Sequence, residues 1–351
     1  MTFQDLIDQR PAQALLRSAL KTGHVSHAYL FVGPSEVGRL ATARVFAQAL
    51  LCETGGDDAC GRCRACRKVG GGTHPDLRII TPGRTETGAE RRGVVIDQIR
   101  DLKRDVAYPP YEARWKVIIV EDAEAMRAEA ANSLLKVLEE PPAGVVIILL
   151  AESLAPLLPT IVSRAQIVRF AFVPAAEIAQ ALTARGVPPE RARYLAALSG
   201  GRVGRALRAA EAGSDAFDRR GGVLETLAAL SRGDVVARLD AAEGVSRLRD
   251  DIEGWLDVAL LWVRDLLIWQ ETRDPALLVN LDVRGDVAEW ADRAGEAGLR
   301  RTAAAIEKAK ENLRLNLNPR LVLEDLFVRI GGNLSGPPAS APVPTAWPER
   351  A

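Results

Sequence analysis

The chain lacks charge imbalance, long apolar runs and dispersed cysteine, and each absence removes a class of function. Its 46 basic and 46 acidic residues cancel. No global positive field therefore draws it to nucleic acid, although a local basic face is compatible with that balance. No apolar run approaches the ~18 residues of a membrane-spanning helix. The opening Met1-Thr2-Phe3-Gln4-Asp5 has neither the basic start nor the apolar core of a secretory signal. A soluble, cytoplasmic protein without membrane partners is expected. Lysine is scarce beside arginine and alanine, which reads as genomic base bias rather than function. No internal repeat is found, and 351 residues leave room for two or three domains.

Two further absences are local. Gly33-Pro34-Ser35-Glu36-Val37-Gly38-Arg39-Leu40 has the glycine spacing of the phosphate-binding loop G-x-x-x-x-G-K-[ST] and follows a strand-like run, Ala28–Val32. In a working loop the Lys reaches the β/γ oxygens and the hydroxyl holds Mg²⁺. Here Arg39 stands at the Lys position and Leu40 at the hydroxyl position. Arg is bulkier and less adaptable there, and Leu ligates no metal. Gly33, Gly38 and Arg39 are thus a degenerate phosphate site, expected to bind ATP weakly or not at all.

What is present falls into an α/β part and a helical part. Strand-like runs at Ala28–Val32, Leu77–Thr81, Val117–Val120, Val145–Leu150 and Ile167–Phe170 alternate with helical patterns at Ala41–Leu51, Ile96–Val106 and Ala128–Glu139. That alternation predicts a parallel sheet covered on both faces over residues 1–170. From about 174 the pattern is helical: Ala175–Arg185, Glu190–Ser199 and Val203–Ala212 make a small module at 171–213, and a second block fills 214–333. Trp255, Trp262 and Trp269 repeat every seven residues and share one helical stripe. The stripe suits either a bundle core or a subunit interface, and core packing is preferred. The Pro-, Ala- and Ser-rich stretch within 334–351 is expected to be disordered.

All four cysteines, Cys52, Cys60, Cys63 and Cys66, fall within fifteen positions as C-x7-C-x2-C-x2-C. Two overlapping C-x-x-C hooks can place thiolates on one metal. A Cys₄ shell on tetrahedral Zn²⁺ leaves no open position, so the site would be structural. Free thiols, an Fe–S cluster and disulfides are the alternatives, the last disfavoured in a cytoplasmic chain. Arg62, Arg64, Arg67 and Lys68 surround the cysteines and allow a nucleic-acid-binding module there, against the plainer reading of a solvated face. Glu121-Asp122 closes a strand. Such acids either hold a hydrated metal or simply face water.

Several runs follow in order: His27-Ala28-Tyr29-Leu30-Phe31, the cysteine insertion, His74-Pro75-Asp76, Ile96-Asp97-Gln98-Ile99-Arg100, Leu134-Leu135-Lys136-Val137-Leu138-Glu139-Glu140-Pro141-Pro142, and Leu158-Pro159-Thr160-Ile161-Val162-Ser163-Arg164. Together, over about residues 3–332, they resemble the bacterial DNA polymerase III clamp-loader subunits of the AAA+ class. No single motif decides; order and spacing do. The resemblance implies an AAA+ α/β domain, a small helical lid and an all-α collar for oligomerisation. Because Arg39 and Leu40 depart from the intact loop of the ATP-hydrolysing gamma and tau members, the delta-prime branch is implied, with a divergent gamma/tau-like ATPase as the rival. A second departure agrees. In ATPase relatives a γ-phosphate-sensing Arg lies where this chain has Gly204, and Arg205 is one residue, or about 100° of helix, away. Ser163-Arg164 matches the family's Ser-Arg-Cys motif with Ala165 for Cys. In that family the Arg is an arginine finger acting in trans on a neighbour's γ-phosphate. Implied partners are the gamma/tau ATPase subunits, the delta subunit, primer–template DNA and, indirectly, the sliding clamp. Asn312, Asn316 and Asn318 resemble the start of the last collar helix, as capping and interface residues.

Overall fold

The computed structural model describes residues 1–82, 96–211, 215–248 and 251–334. It divides into two compact units, one of residues 1–177 with 201–205, the other of residues 178–200 with 206 onward.

The first unit is built on five parallel strands: β1 (Ala28–Val32), β2 (Leu77–Ile80), β3 (Lys116–Val120), β4 (Val145–Ala151) and β5 (Gln166–Arg169), in the order β2-β3-β4-β1-β5. The helices are α1 (Arg10–Thr22), α2 (Arg39–Leu50), α3 (Arg64–Gly70), α4 (Ile96–Val106), α5 (Ala128–Glu139) and the single turn α6 (Pro159–Val162). Strands β1, β3 and β4 are buried throughout, as expected of parallel strands with helices on both faces. Alternate residues serve alternate cores. Tyr29, Phe31, Val117, Ile119 and Ile148 pack with Leu16 and Phe46, while Leu30, Ile118 and Leu149 pack with Ile99 and Leu134.

Edges differ from the expected bounds for physical reasons. Strand β3 begins at Lys116 because the side chain of this charged residue is buried and satisfied: Nζ donates to the Asp105 carbonyl at 2.8 Å and the Tyr108 carbonyl at 3.1 Å, and pairs with Asp105 Oδ1 at 3.2 Å. Strand β5 is an edge whose two end residues, Gln166 and Arg169, are exposed and polar, so its apolar content misleads by one position.

Helices α7 (Ala175–Ala184) and α9 (Val203–Glu211) begin in the first unit and continue in the second, which also holds α8 (Pro189–Leu198), α10 (Asp215–Arg232), α11 (Val235–Ser246), α12 (Ile252–Thr272), α13 (Arg284–Arg293), α14 (Glu296–Arg314) and α15 (Pro319–Leu334). Helix α15 runs one residue past the expected collar end at 333, and the stretch from 335 lies outside the described residues. Trp255 and Trp262 are core residues, packed on Phe327 and Trp290 with ring centroids 5.2 and 5.8 Å apart. Trp269 is half-buried at the edge of that core. Beneath it Asp265 accepts the backbone N–H groups of Val279 and Asn280 at 3.0 and 2.8 Å, and buried Arg220 pairs with Asp282. No helix among the described residues is long and apolar enough to cross a membrane.

Candidate functional site

The degenerate phosphate loop joins β1 to α2. Gly33 is glycine because the chain after β5 crosses it: a Cβ there would lie 2.3 Å from the Phe170 carbonyl oxygen. Gly38 has φ +108° and caps α2, a conformation only glycine adopts cheaply. Gln9, buried beside the loop, donates Nε2 to the Val37 carbonyl at 3.2 Å and the Ala171 carbonyl at 2.7 Å, and accepts the Ala171 N–H at 3.2 Å. Gly204, in the first turn of α9, donates its N–H to the Glu36 carbonyl at 2.8 Å. Gly204 therefore meets the loop as backbone, with no side chain to offer.

Arg39 is 9% exposed. Its Nη2 lies 4.0 Å from Glu152 Oε1, and Nη1 is buried without a hydrogen-bond partner among the described residues. Leu40 packs against the apolar core. Behind the loop, burial raises the Glu121 carboxyl above the usual range, helped by Asp122 and opposed by Arg44 and Arg39. The loop thus presents a buried guanidinium and an apolar side chain, and the end of β3 a reluctant carboxylate, where a nucleotide–Mg²⁺ site needs an ammonium, a hydroxyl and acids that ionise readily.

Arg164 lies in the turn between α6 and β5, a partly exposed side chain. Its Nη1 donates to the Thr160 carbonyl at 3.1 Å and Ser163 Oγ at 3.3 Å. Its Nη2 pairs with Glu139 Oε1 at 3.0 Å. Glu139 closes α5, where Pro141-Pro142 ends the helix.

The four cysteine sulfurs converge, all within 4.8 Å of one another. Cys52 and Cys63 are 3.9 Å apart, and Cys60 and Cys66 4.0 Å. A tetrahedral Zn²⁺ with bonds of about 2.3 Å needs sulfurs about 3.8 Å apart, so the donor set fits such an ion. Backbone N–H groups of Cys60, Cys63 and Cys66 donate to the sulfurs of Cys52, Cys60 and Cys63 at 3.3–3.4 Å. These bonds favour thiolates. The N–H of Arg62 leads the effects that draw Cys60 down to about 6, whereas burial pushes Cys66 up to about 12. The module is pinned to the chain's start: Asp58 accepts the Phe3 N–H at 3.1 Å and Asp57 pairs with Arg17 at 2.7 Å. Arg62, Arg64 and Arg67 are exposed, and Lys68 is paired with Glu112 at 2.6 Å.

Comparison with known proteins decides what this architecture belongs to. The chain is 32% identical to the DNA polymerase III subunit delta' of Pseudomonas aeruginosa over 326 residues, which cover 89% of this chain and 93% of that protein. The chain belongs to the delta' family of DNA polymerase III subunits. The family described as "DNA polymerase III, delta subunit" matches residues 8–174, and its C-terminal counterpart matches 214–331. The Bacillus subtilis delta' subunit is 29% identical over 94% of this chain and 98% of its own length. The Mycobacterium bovis gamma/tau subunit is 30% identical over 94% of this chain but only 61% of its own length. This is a delta'-like clamp-loader subunit, with the parallel α/β domain and all-helical C-terminal region that its sequence implies.

In this delta'-family chain the structure brings Gly33, Gly38 and Arg39 into one loop and the four cysteines into one cluster, and sets Arg164 apart at the end of α6. Sequence reasoning missed Gln9, Glu152 and Glu139. Only Glu139 left a signal: a carboxylate at a helix C-terminus opposes the macrodipole and calls for a cation nearby.

Proposed function

We propose that this chain is a non-hydrolysing stator of the clamp loader, which offers Arg164 in trans to the γ-phosphate held by a neighbouring gamma/tau-type ATPase subunit. The reading is carried chiefly by Arg39. At the position of the phosphate-binding Lys its guanidinium is buried and turned towards Glu152. Leu40 beside it supplies no Mg²⁺ ligand. Arg164 has the complementary character: it is accessible, always charged, forked to match phosphate oxygens, and anchored by backbone and carboxylate contacts. A finger of this kind stabilises charge at the transferring phosphoryl group and is worth roughly 10³–10⁵ in rate in well-studied systems.

The remaining assignments follow from this reading. Residues 171–213 act as the lid and 214–333 as the collar through which the chain assembles with gamma/tau and delta subunits. The assembled ring surrounds primer–template DNA, and this chain meets the sliding clamp only indirectly. Cys52, Cys60, Cys63 and Cys66 hold a structural Zn²⁺, whose contribution is a cross-link and not catalysis.

The test is ATP binding and turnover by the purified chain with Mg²⁺, beside an Arg39→Ala variant, followed by loader assembled with Arg164→Ala. The stator reading expects no turnover from the chain alone and a loss of ATPase in the Arg164→Ala loader. Turnover by the chain alone that disappears in Arg39→Ala makes it a divergent gamma/tau-like ATPase instead.

A further inference from the structure

We infer that Glu139 is a positioning residue for Arg164, aiming the guanidinium from the end of α5. The inference rests on the finger reading above. Three acceptors take up the guanidinium: the Thr160 carbonyl and Ser163 Oγ on Nη1, and Glu139 Oε1 on Nη2. The first two lie on the finger's own turn and fix one nitrogen. Among the described residues Glu139 alone reaches it from another element, and it fixes the direction in which the other nitrogen faces.

The carboxylate's location supports a positional role. It ends α5 against the helix dipole, so it is disfavoured there unless a cation answers it. Pro141-Pro142 stops the helix just beyond, so the carboxylate is held by a rigid element and not by a loop. Both partners are partly exposed, 36% and 47% at the side chain, and such pairs contribute little to folding. An arginine that must reach across an interface loses rotamer freedom on engagement, and a tethered one has lost part of it beforehand. Glu139 thereby ties the finger's aim to the position of α5.

The experiment is ATP turnover by reconstituted loader with sliding clamp and primed DNA, carrying wild-type chain, Glu139→Ala, Glu139→Gln, Arg164→Ala or the Glu139→Ala/Arg164→Ala pair. Glu139→Ala is expected to lower kcat about two- to fivefold, the range of an exposed pair. KM for ATP and loader assembly should be unchanged. Glu139→Gln, which keeps an acceptor oxygen, should recover much of the loss. In the Arg164→Ala background Glu139→Ala should cost nothing more. An equal further loss in that background overturns the inference, because Glu139 would then act without the finger. If Arg164→Ala lowers turnover and Glu139→Ala does not, the inference fails while the finger stands. If Arg164→Ala itself changes nothing, the finger reading falls and this inference falls with it.

Discussion

Metal binding by the four cysteines should strengthen steeply with pH, and the structure sets the least slope. Two sulfur pairs are already near tetrahedral spacing, at 3.9 and 4.0 Å against about 3.8 Å for Zn²⁺, and all four lie within 4.8 Å of one another, so closing on an ion takes a modest contraction. Only thiolates ligate. At pH 7 Cys60, drawn to about 6, is mostly ionised, whereas Cys66, pushed by burial to about 12, carries its proton. Binding must expel at least that proton. Raising pH therefore favours the metal-bound form, by about 1.4 kcal/mol or tenfold in affinity per unit for each proton released. Chelator competition at pH 6.5, 7.5 and 8.5 measures the slope, and Co²⁺ replacing Zn²⁺ reports thiolate ligation by its absorption. Stability conferred by the metal follows the same sign, lost as pH falls. Cys66→Ser should abolish retention of the metal and speed amide exchange in residues 52–70 while leaving the sheet protected. A chain that binds neither Zn²⁺ nor Co²⁺, or binds with an affinity flat in pH, refutes the reasoning.

Three other outcomes are expected. Asp76, 1% exposed, accepts the N–H groups of Tyr111, Glu112 and Ala113 at 2.6, 3.0 and 3.0 Å, so Asp76→Ala should cost about 3 kcal/mol in urea unfolding; a loss under 1 kcal/mol would mean water replaces the carboxylate. Glu121 has a folded-state pKa raised by burial, so its contribution is favourable below the unfolded value and is lost as pH rises through the folded one. Glu121→Gln should therefore be more stable than wild type at pH 7, with the gain vanishing near pH 4, and equal gains at both pH values contradict this. Gly33→Ala places a methyl against the Phe170 backbone and should destabilise by about 1–3 kcal/mol; an unchanged Tm would show that the crossing is not tight.

Much of the scaffold is written in local pattern. Helices α4 and α5 run from Ile96 to Val106 and from Ala128 to Glu139, as their periodicity and the Pro141-Pro142 stop predict. The strands are short runs of Val, Ile and Leu bounded by turns, and their cores agree within a residue. Helix α1 escaped the periodicity reading: it starts after two residues of positive φ, Asp8 and Gln9, with Pro11 in its first turn. What the sequence could not yield is contact at a distance. Gln9 meets Ala171 across 162 residues of chain, and neither residue announces the other. Glu139 and Arg164 were both in view as parts of separate motifs, yet their pairing depends on how α5 and α6 end beside one another. The cysteine cluster was legible because its ligand spacing is local, and the anchors Asp57 and Asp58 were not, because their partners Arg17 and Phe3 precede it by dozens of residues.

The two glycines of the phosphate loop deserve a different weight from the residues between and after them. Gly33 is required by the approach of Phe170 and Gly38 by its positive φ at the start of α2. Both demands come from the backbone of the fold itself. A glycine frame alone is therefore poor support for nucleotide binding in this architecture. The informative positions are those the fold leaves free to vary: a Lys and a hydroxyl serve phosphate and Mg²⁺, and this chain has Arg39 and Leu40 there, both turned to packing. The same logic works in reverse for Arg164. It is partly exposed, its ion pair adds little to folding, and three acceptors nonetheless hold it in one orientation. An accessible guanidinium held in place without benefit to the core is what the proposed finger role requires, and an anionic group on a neighbouring subunit is the partner that proposal assigns to it.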